Sequence, residues 1–170
     1  MRYSILKNIR CPNTNHPNFE GEYKFSSFNK LFENMITKSK WDDTQKQDLP
    51  MFSCTTFNFN IRADKAKPTS LFALDFDDIG NDLNTALDYF KDYGYFIYTS
   101  YSHTREHHKF RVIVKLDVEI ANNRESHMIF DILQDRLIQH NLILDSQCRD
   151  ISRRFFLPSL NKLGDDPLCY

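Results

Sequence analysis

The spacing of apolar residues predicts regular secondary structure most clearly after position 70 of the chain. Short apolar runs are typical of strands, whereas apolar residues three or four positions apart are typical of helices. On this basis we predict strands at 71–77, 95–100, 110–116 and 152–158 and helices at 81–93 and 123–140. The predicted buried stripe of the second helix comprises Met128, Ile129, Ile132, Leu133, Leu137 and Ile138.

This order of elements, β-α-β-β-α-β, is that of the ferredoxin-like or RRM-like split βαβ arrangement. It predicts an α+β fold, with a palm-like antiparallel sheet that has both helices on one face and an open face for catalysis. Residues 1–65 are less regular and predict an N-terminal α/β extension packed on that core. Its predicted elements are a strand at 2–9, a loop at 11–22, a helix at 26–40 and a strand at 51–62. We expect residues 1–170 to form one domain, with the core at 70–162.

Composition limits the partners and the compartment. The net charge of −1 is not the strongly basic balance of a protein that binds nucleic acid by charge alone. No apolar run is long enough for a membrane span, and the N-terminus lacks a secretory signal, so we expect a cytoplasmic protein with no membrane contact. The four cysteines are scattered and predict no disulfide framework. Cys11 and His16 lack the second ligand pair that structural zinc requires.

Residues 71–78, LFALDFDD, place acidic side chains directly after an apolar strand. Because strand side chains alternate, Asp75 and Asp77 share one face while the large apolar residues occupy the other. Their Cα atoms would lie about 7 Å apart, so their oxygens can converge on Mg²⁺ or Mn²⁺. A bound cation would offset the repulsion between the two carboxylates. Asp78 is interpreted as a solvated residue that caps the following helix.

A second polar cluster lies in SYSHTREHHKFRV, residues 100–112. Arg111 alternates with apolar neighbours on the predicted strand and should face the same side as the aspartate pair. The competing interpretation is a solvated hairpin loop, which we favour for His107 and His108. The candidates for binding a triphosphate through hydroxyl and charge-assisted hydrogen bonds are Ser102, His103, Lys109 and Arg111.

A third cluster is LILDSQCRDISRRFFLP, residues 142–158. Asp145 follows an apolar run and is a candidate third carboxylate for the metal site. Asp150 is the rival candidate, and loop capping is the alternative for both. Arg153 and Arg154 would point to opposite faces of a strand, so only one of them can reach the site.

Together these segments resemble the archaeo-eukaryotic primase superfamily, with the nearest likeness to primase–polymerase domains of phages and plasmids. The resemblance covers residues 70–162 and rests on the order of LDFDD, TSYSHT…KFRVIVKLD and LDSQC…SRRFFLPSLNKLG. It implies that Asp75, Asp77 and Asp145 hold the catalytic metals.

The nucleotide-binding motif of that family, Ser-x-His, is only partly matched. Tyr101 stands where the motif has serine, and either His103 or Arg111 takes the place of its histidine. Arg153 is implied as a further phosphate or template contact.

The implied function is two-metal nucleotidyl transfer by a primase or DNA polymerase that replicates a phage, plasmid or other mobile element. Mg²⁺ or Mn²⁺ would be the cofactor, and single-stranded DNA template and (d)NTPs would be the ligands. The near-neutral charge and the absence of a helicase motif favour a replicative helicase or a further C-terminal region as partner.

Three other functions match parts of the sequence. A haloacid dehalogenase-type phosphohydrolase would use LDFDD, YFIYTS and LGDDP, but the predicted topology lacks its parallel βαβ repeat. A rolling-circle nuclease needs two histidines on one face of a strand, which adjacent His107 and His108 do not supply. A non-catalytic nucleic-acid-binding subunit remains an open alternative.

Overall fold

Residues 1–39 and 45–159 are described by the computed structural model, and they form two antiparallel sheets and three α-helices. The predicted α+β class is confirmed. The end of the predicted core (160–162), most of the closing motif SLNKLG, the segment LGDDP and Cys169 lie outside the described residues. No helix in the described ranges is long and apolar enough to cross a membrane.

The first three strands form the N-terminal sheet, the next three form the core sheet, and the last strand returns to the N-terminal sheet. β2 lies partly in the segment predicted as a loop at 11–22, and β3 is much shorter than the strand predicted at 51–62. In chain order the elements are β1 (Arg2–Leu6), β2 (Phe19–Lys24), α1 (Phe28–Lys38), β3 (Met51–Ser53), β4 (Thr69–Phe76), α2 (Leu83–Phe90), β5 (Tyr95–Thr99), β6 (Phe110–Ile120), α3 (Asn123–Leu137) and β7 (Phe155–Phe156).

The core sheet has the strand order β4-β6-β5, and both neighbouring pairs are antiparallel. This is the order of the first, third and second strands in the split βαβ arrangement. The register aligns Asp75 of β4, Arg111 of β6 and Tyr98 of β5 in one row across the sheet. Since directly opposite residues share a face, their three polar side chains lie on the same side.

The last strand differs from the prediction, because β7 joins the N-terminal sheet instead of the core sheet. The N-terminal sheet has the order β2-β1-β3-β7, with β7 antiparallel to β3. The ring of Phe155 lies 5.5 Å from that of Phe52, and the amide of Leu157 donates to the carbonyl of Pro50. This apolar contact and the backbone bond favour the pairing of β7 with β3.

Both faces of the core sheet are covered, in contrast to the open face that the sequence predicted. On one face, Tyr95 packs on Phe90 of α2, with ring centroids 6.3 Å apart. On the other, Tyr98 packs on Phe52 of β3 at 6.4 Å. This second face also carries Phe96, whose ring lies 5.4 Å from that of Phe32 in α1, and burying such apolar area is favourable. The covered face is therefore not an open binding surface.

The buried stripe of α3 is rotated from the predicted one. The buried residues are Ser126, Phe130 and Leu137, which recur at helical spacing. The predicted stripe omitted Phe130, the largest apolar side chain of the helix, and included residues that lie beside the buried face. Three residues of the predicted stripe are exposed, namely Met128, Ile132 and Ile138.

The cap of α2 is Asp82, and not Asp78 as predicted. The Asp82 carboxylate accepts a hydrogen bond from the amide of Thr85, whereas Asp78 accepts one from the amide of Gly80 in the preceding turn. We expect Asp82→Ala to lower the free energy of unfolding by about 1 kcal/mol, because a helix amide loses its partner. Urea unfolding should show this loss, and Asp82→Asn, which can still cap, should remain near wild type. An equal loss in both variants would contradict the capping role.

Candidate metal centre and basic cleft

Three carboxylates converge at the end of β4. Asp75 is buried in the strand, Asp77 lies one residue past its end, and Asp145 approaches from the segment that follows α3. One oxygen of each residue lies within 4.8 Å of the others, and no other group of three potential metal ligands occurs at such spacing in residues 1–39 and 45–159. Clustered oxygen donors are the ligands that Mg²⁺ and Mn²⁺ prefer.

Backbone contacts bring Asp145 to this position. Its amide donates to the carbonyl of Asp75 at 2.9 Å, and the amide of Asp75 donates to the Cys148 thiol at 3.1 Å. The Oδ1 atom of Asp145 accepts from the amide of Gln147 in the short 3₁₀ turn at 146–149. Asp150 instead accepts from the amide and hydroxyl of Ser152, as a loop cap does. Asp145, and not Asp150, completes the cluster.

Arg111 holds the innermost carboxylate. Its Nη2 atom donates to Oδ2 of Asp75 at 3.0 Å, and its Nε atom lies 3.0 Å from Oδ1. Burial raises the pKa of Asp75, the Arg111 guanidinium opposes that rise, and the negative charge of Asp77 adds to it. Nη1 of Arg111 donates to the carbonyl of Phe156, and the guanidinium lies over the rings of Tyr98 and Phe155. Its two terminal nitrogens thus bond protein groups, whereas its buried Nε atom has no hydrogen-bond partner among the described residues.

A cleft of about 330 Å³ opens beside the carboxylates and carries several basic side chains. The buried Nε atom of Arg153 has no hydrogen-bond partner in the part of the chain that the structure describes. Nη2 of the same side chain lies 4.0 Å from Oδ2 of Asp145. Arg154 donates to the carbonyls of Ile9 and Cys11. The polar and basic residues that line the cleft are Lys46, Asp75, Asp77, Arg111, Asp150, Ser152, Arg153 and Arg154.

Both consecutive arginines therefore line the cleft, although strand alternation predicted that only one would reach the site. The difference arises because Arg153 and Arg154 precede the two-residue strand β7 and are not part of a regular strand. Alternation of side chains across a sheet does not apply to them.

The other predicted phosphate ligands are in the loop at 100–109, and Ser102, His103 and Lys109 do not line the cleft. Nδ1 of His103 accepts from the amide of Lys109, and its ring stacks on that of His108. Nε2 of His107 lies 3.1 Å from the carbonyl of Asp77. The loop thus contacts the backbone of the acidic pair through His107, a residue that we predicted to lie on the solvated surface.

His108 is also not a free surface residue, since its Nδ1 atom lies 3.0 Å from Oδ1 of Asp82.

The structure does not support a zinc site at Cys11 and His16. Cys11 is buried with its thiol 3.5 Å from the Asn13 carbonyl, and Nδ1 of His16 accepts from the amide of Asn18. Neither residue belongs to a group of three potential ligands among the described residues.

The N-terminal part contributes cleft residues that the sequence did not indicate. Lys46 lies in a 3₁₀ turn before β3, with its ammonium 5.7 Å from the ring centroid of Phe156. Ile9, Met51 and Ile61 form apolar parts of the same wall. These positions belong to no sequence motif. The basic Lys46 before the short strand β3 was the one sequence feature that could have indicated them.

Comparisons with known proteins identify no family for this chain. No protein-family model and no curated protein sequence matches it. A solved structure with some similarity is the polymerase domain of Ligase D from Mycobacterium tuberculosis in complex with DNA. It is 14% identical, with a TM-score of 0.45, over 66% of this chain and 48% of that chain. The chain thus spans about half the length of the structure it matches.

Proposed function

We propose that this protein is a metal-dependent nucleotidyltransferase of the primase–polymerase type. It would make or extend primers on single-stranded DNA during replication of a phage, plasmid or other mobile element. The observation that carries the proposal is the convergence of Asp75, Asp77 and Asp145 beside an arginine-lined cleft. Carboxylates would hold cations, and guanidinium groups would bind phosphate, which are the two requirements of phosphoryl-transfer chemistry.

The three carboxylates fit Mg²⁺ or Mn²⁺, because they offer hard oxygen donors and no competing sulfur or imidazole ligand within the cluster. Divalent ions bound there would lower the pKa of the attacking 3′-hydroxyl and neutralise the charge of the leaving pyrophosphate. Asp77 and Asp145 are partly exposed and Asp77 lines the cleft, while Asp75 anchors the cluster in the sheet.

The phosphate groups would be bound mainly by Arg153, whose Nε atom has no partner among the described residues and whose Nη2 atom approaches Asp145. Arg154 and Lys46 add positive charge to the same cleft. Arg111 would act on Asp75 as a positioning residue, because its donors are directed at Asp75 and Phe156. The loop that carries Ser102, His103 and Lys109 would support Asp77 or contact a longer ligand.

The geometry disfavours a phosphohydrolase that uses the first aspartate as a nucleophile. Such a carboxylate must reach a phosphorus atom, but Asp75 is 3% exposed and its Oδ2 atom is bonded to Nη2 of Arg111. The strand pairs in the described residues are antiparallel, whereas that class requires a parallel βαβ sheet. Hydrolysis of a generic phosphomonoester would reopen this alternative.

The wild-type protein tests the proposal directly. We expect incorporation of labelled nucleotide on a primed single-stranded DNA template in Mn²⁺ or Mg²⁺, and complete loss of incorporation after chelation of the metal. Mn²⁺ should also raise the thermal midpoint, since a ligand of the native state stabilises it by RT ln(1 + [L]/Kd). Mn²⁺ binding without incorporation would favour a non-catalytic subunit, and the absence of both would refute the metal site.

A further inference from the structure

The segment that carries Asp145 occupies the place of a missing sheet strand. In the predicted fold a fourth strand would lie beside β4, but β7 pairs with β3 instead. Residues 142–145 have no regular secondary structure, and two hydrogen bonds at Asp75 join this part of the chain to β4, one from the amide of Asp145 and one to the thiol of Cys148. Two bonds at one residue of β4 do not fix a segment as a β-ladder does. Other contacts therefore contribute to the position of the third carboxylate.

Asn81 supplies two of these contacts. Its Nδ2 atom donates to the carbonyl of Ile143 at 2.9 Å, and its Oδ1 atom accepts from the amide of the same residue at 2.7 Å. The side chain is 4% exposed, so water competes little for either bond. The amide of Asn81 donates to the carbonyl of Asp78, in the turn that directly follows Asp77. Asn81 thus joins the chain just after Asp77 to the chain just before Asp145.

Gln134 of α3 makes a matching pair of contacts on the neighbouring residues. Its Oε1 atom accepts from the amide of Leu144 at 2.8 Å, and its Nε2 atom donates to the carbonyl of Leu142 at 3.4 Å. Three successive residues before Asp145 are therefore held by side-chain amides from two different elements. These amides replace the backbone ladder that a fourth strand would provide.

We propose that Asn81 and Gln134 form an amide clamp that positions Asp145 for metal binding. The inference rests on the metal site of the proposed function. Asp75 is held by β4 and Arg111, whereas the placement of Asp145 relative to Asp77 depends on the clamp. Metal sites require ligands within about 0.5 Å of their productive geometry, so a loosened segment would weaken binding even when the fold is intact. Both residues are positioning residues, because neither reaches the cleft.

The test replaces one donor with an acceptor. Asn81→Asp keeps the bond from the Ile143 amide but sets a carboxylate oxygen against the Ile143 carbonyl. We expect Mn²⁺ affinity, measured by electron paramagnetic resonance, to fall about 10- to 100-fold, as for other groups that orient metal ligands. Asn84→Asp, an exposed position on α2, adds the same charge three residues away and should bind Mn²⁺ as the wild type does.

A second variant covers the case in which Asn81→Asp does not fold. Gln134→Ala removes both contacts from a half-exposed helix position and introduces a good helix former, so folding should be retained. It should also weaken Mn²⁺ binding and should accelerate amide hydrogen exchange in residues 142–145 of the metal-free protein. Gln139→Ala, at an exposed position outside the clamp, should do neither.

A double-mutant cycle separates positioning from general stability. In an Asp145→Asn background the clamp variants should cause no further loss of Mn²⁺ affinity, because the ligand they position is already absent. Unchanged Mn²⁺ affinity in folded Asn81→Asp and Gln134→Ala would overturn the clamp while leaving the metal site in place. Additive losses in the Asp145→Asn background would overturn it as well. A wild-type protein that binds no Mn²⁺ would overturn the metal site and the clamp together.

Discussion

Replacing Asp77 with asparagine is expected to reduce nucleotide incorporation by about a thousandfold or more. The amide keeps the shape of the carboxylate but removes a negative charge that would hold a cation between Asp75 and Asp145. Bound metal contributes several kcal/mol of transition-state stabilisation, and each ~1.4 kcal/mol corresponds to a factor of ten in rate. Single-nucleotide primer extension at saturating Mn²⁺ measures the loss, and calorimetric titration with Mn²⁺ measures the accompanying loss of affinity.

The same substitution should not destabilise the metal-free protein. Burial is the main cause of the raised pKa of Asp75, and the charge of Asp77 adds to it, so removing that charge relieves repulsion. The thermal midpoint in chelator should be equal to that of the wild type or slightly higher. Asp78→Asn is the matched control, since Asp78 is exposed and outside the cluster, and its activity should stay within about twofold of the wild type. Equal losses in both variants would contradict the metal assignment.

The acidic cluster was predictable because its members lie where apolar runs of the sequence end. Alternation along β4 placed Asp75 and Asp77 on one face, and the apolar run 142–144 marked Asp145 as a third candidate. The strand order β4-β6-β5 followed from the order of elements along the chain. The contacts that bring Asp145 to the site were not predictable, because its backbone bond to Asp75 and the two side-chain amides of the clamp join residues far apart in the sequence and belong to no motif.

The packing of the N-terminal sheet over the core sheet was also not predictable from the sequence. Phe155 and Phe156 are apolar on both faces of a short strand, and such a pattern does not specify which sheet the strand joins. The partner of Arg111 depends on the register between β4 and β6, which a single sequence does not reveal. Alternation placed Arg111 on the correct face, but the distances show that its guanidinium is directed at Asp75 and not into open solvent.

Replacing Arg111 with methionine is expected to lower the free energy of unfolding by about 3–5 kcal/mol, the usual loss when one partner of a buried ion pair is removed. Methionine retains much of the apolar stem that packs near Tyr98 and Phe155, so the loss comes mainly from the uncompensated carboxylate of Asp75. Desolvation of that carboxylate is no longer opposed by a guanidinium. Urea unfolding of the metal-free protein measures the effect, and Arg62→Met, which breaks an exposed pair with Asp64, should leave stability close to that of the wild type.

The double variant Asp75→Asn/Arg111→Met distinguishes a buried charge from lost packing. If the destabilisation comes from the unpaired carboxylate, neutralising Asp75 should recover most of it, and the coupling between the two positions should exceed about 1 kcal/mol. Recovery of stability should not restore nucleotide incorporation, because an amide in place of the Asp75 carboxylate lacks the charge of a metal ligand. A double variant as unstable as Arg111→Met alone would show that Arg111 acts through packing, and its role in holding Asp75 for the metal would then be refuted.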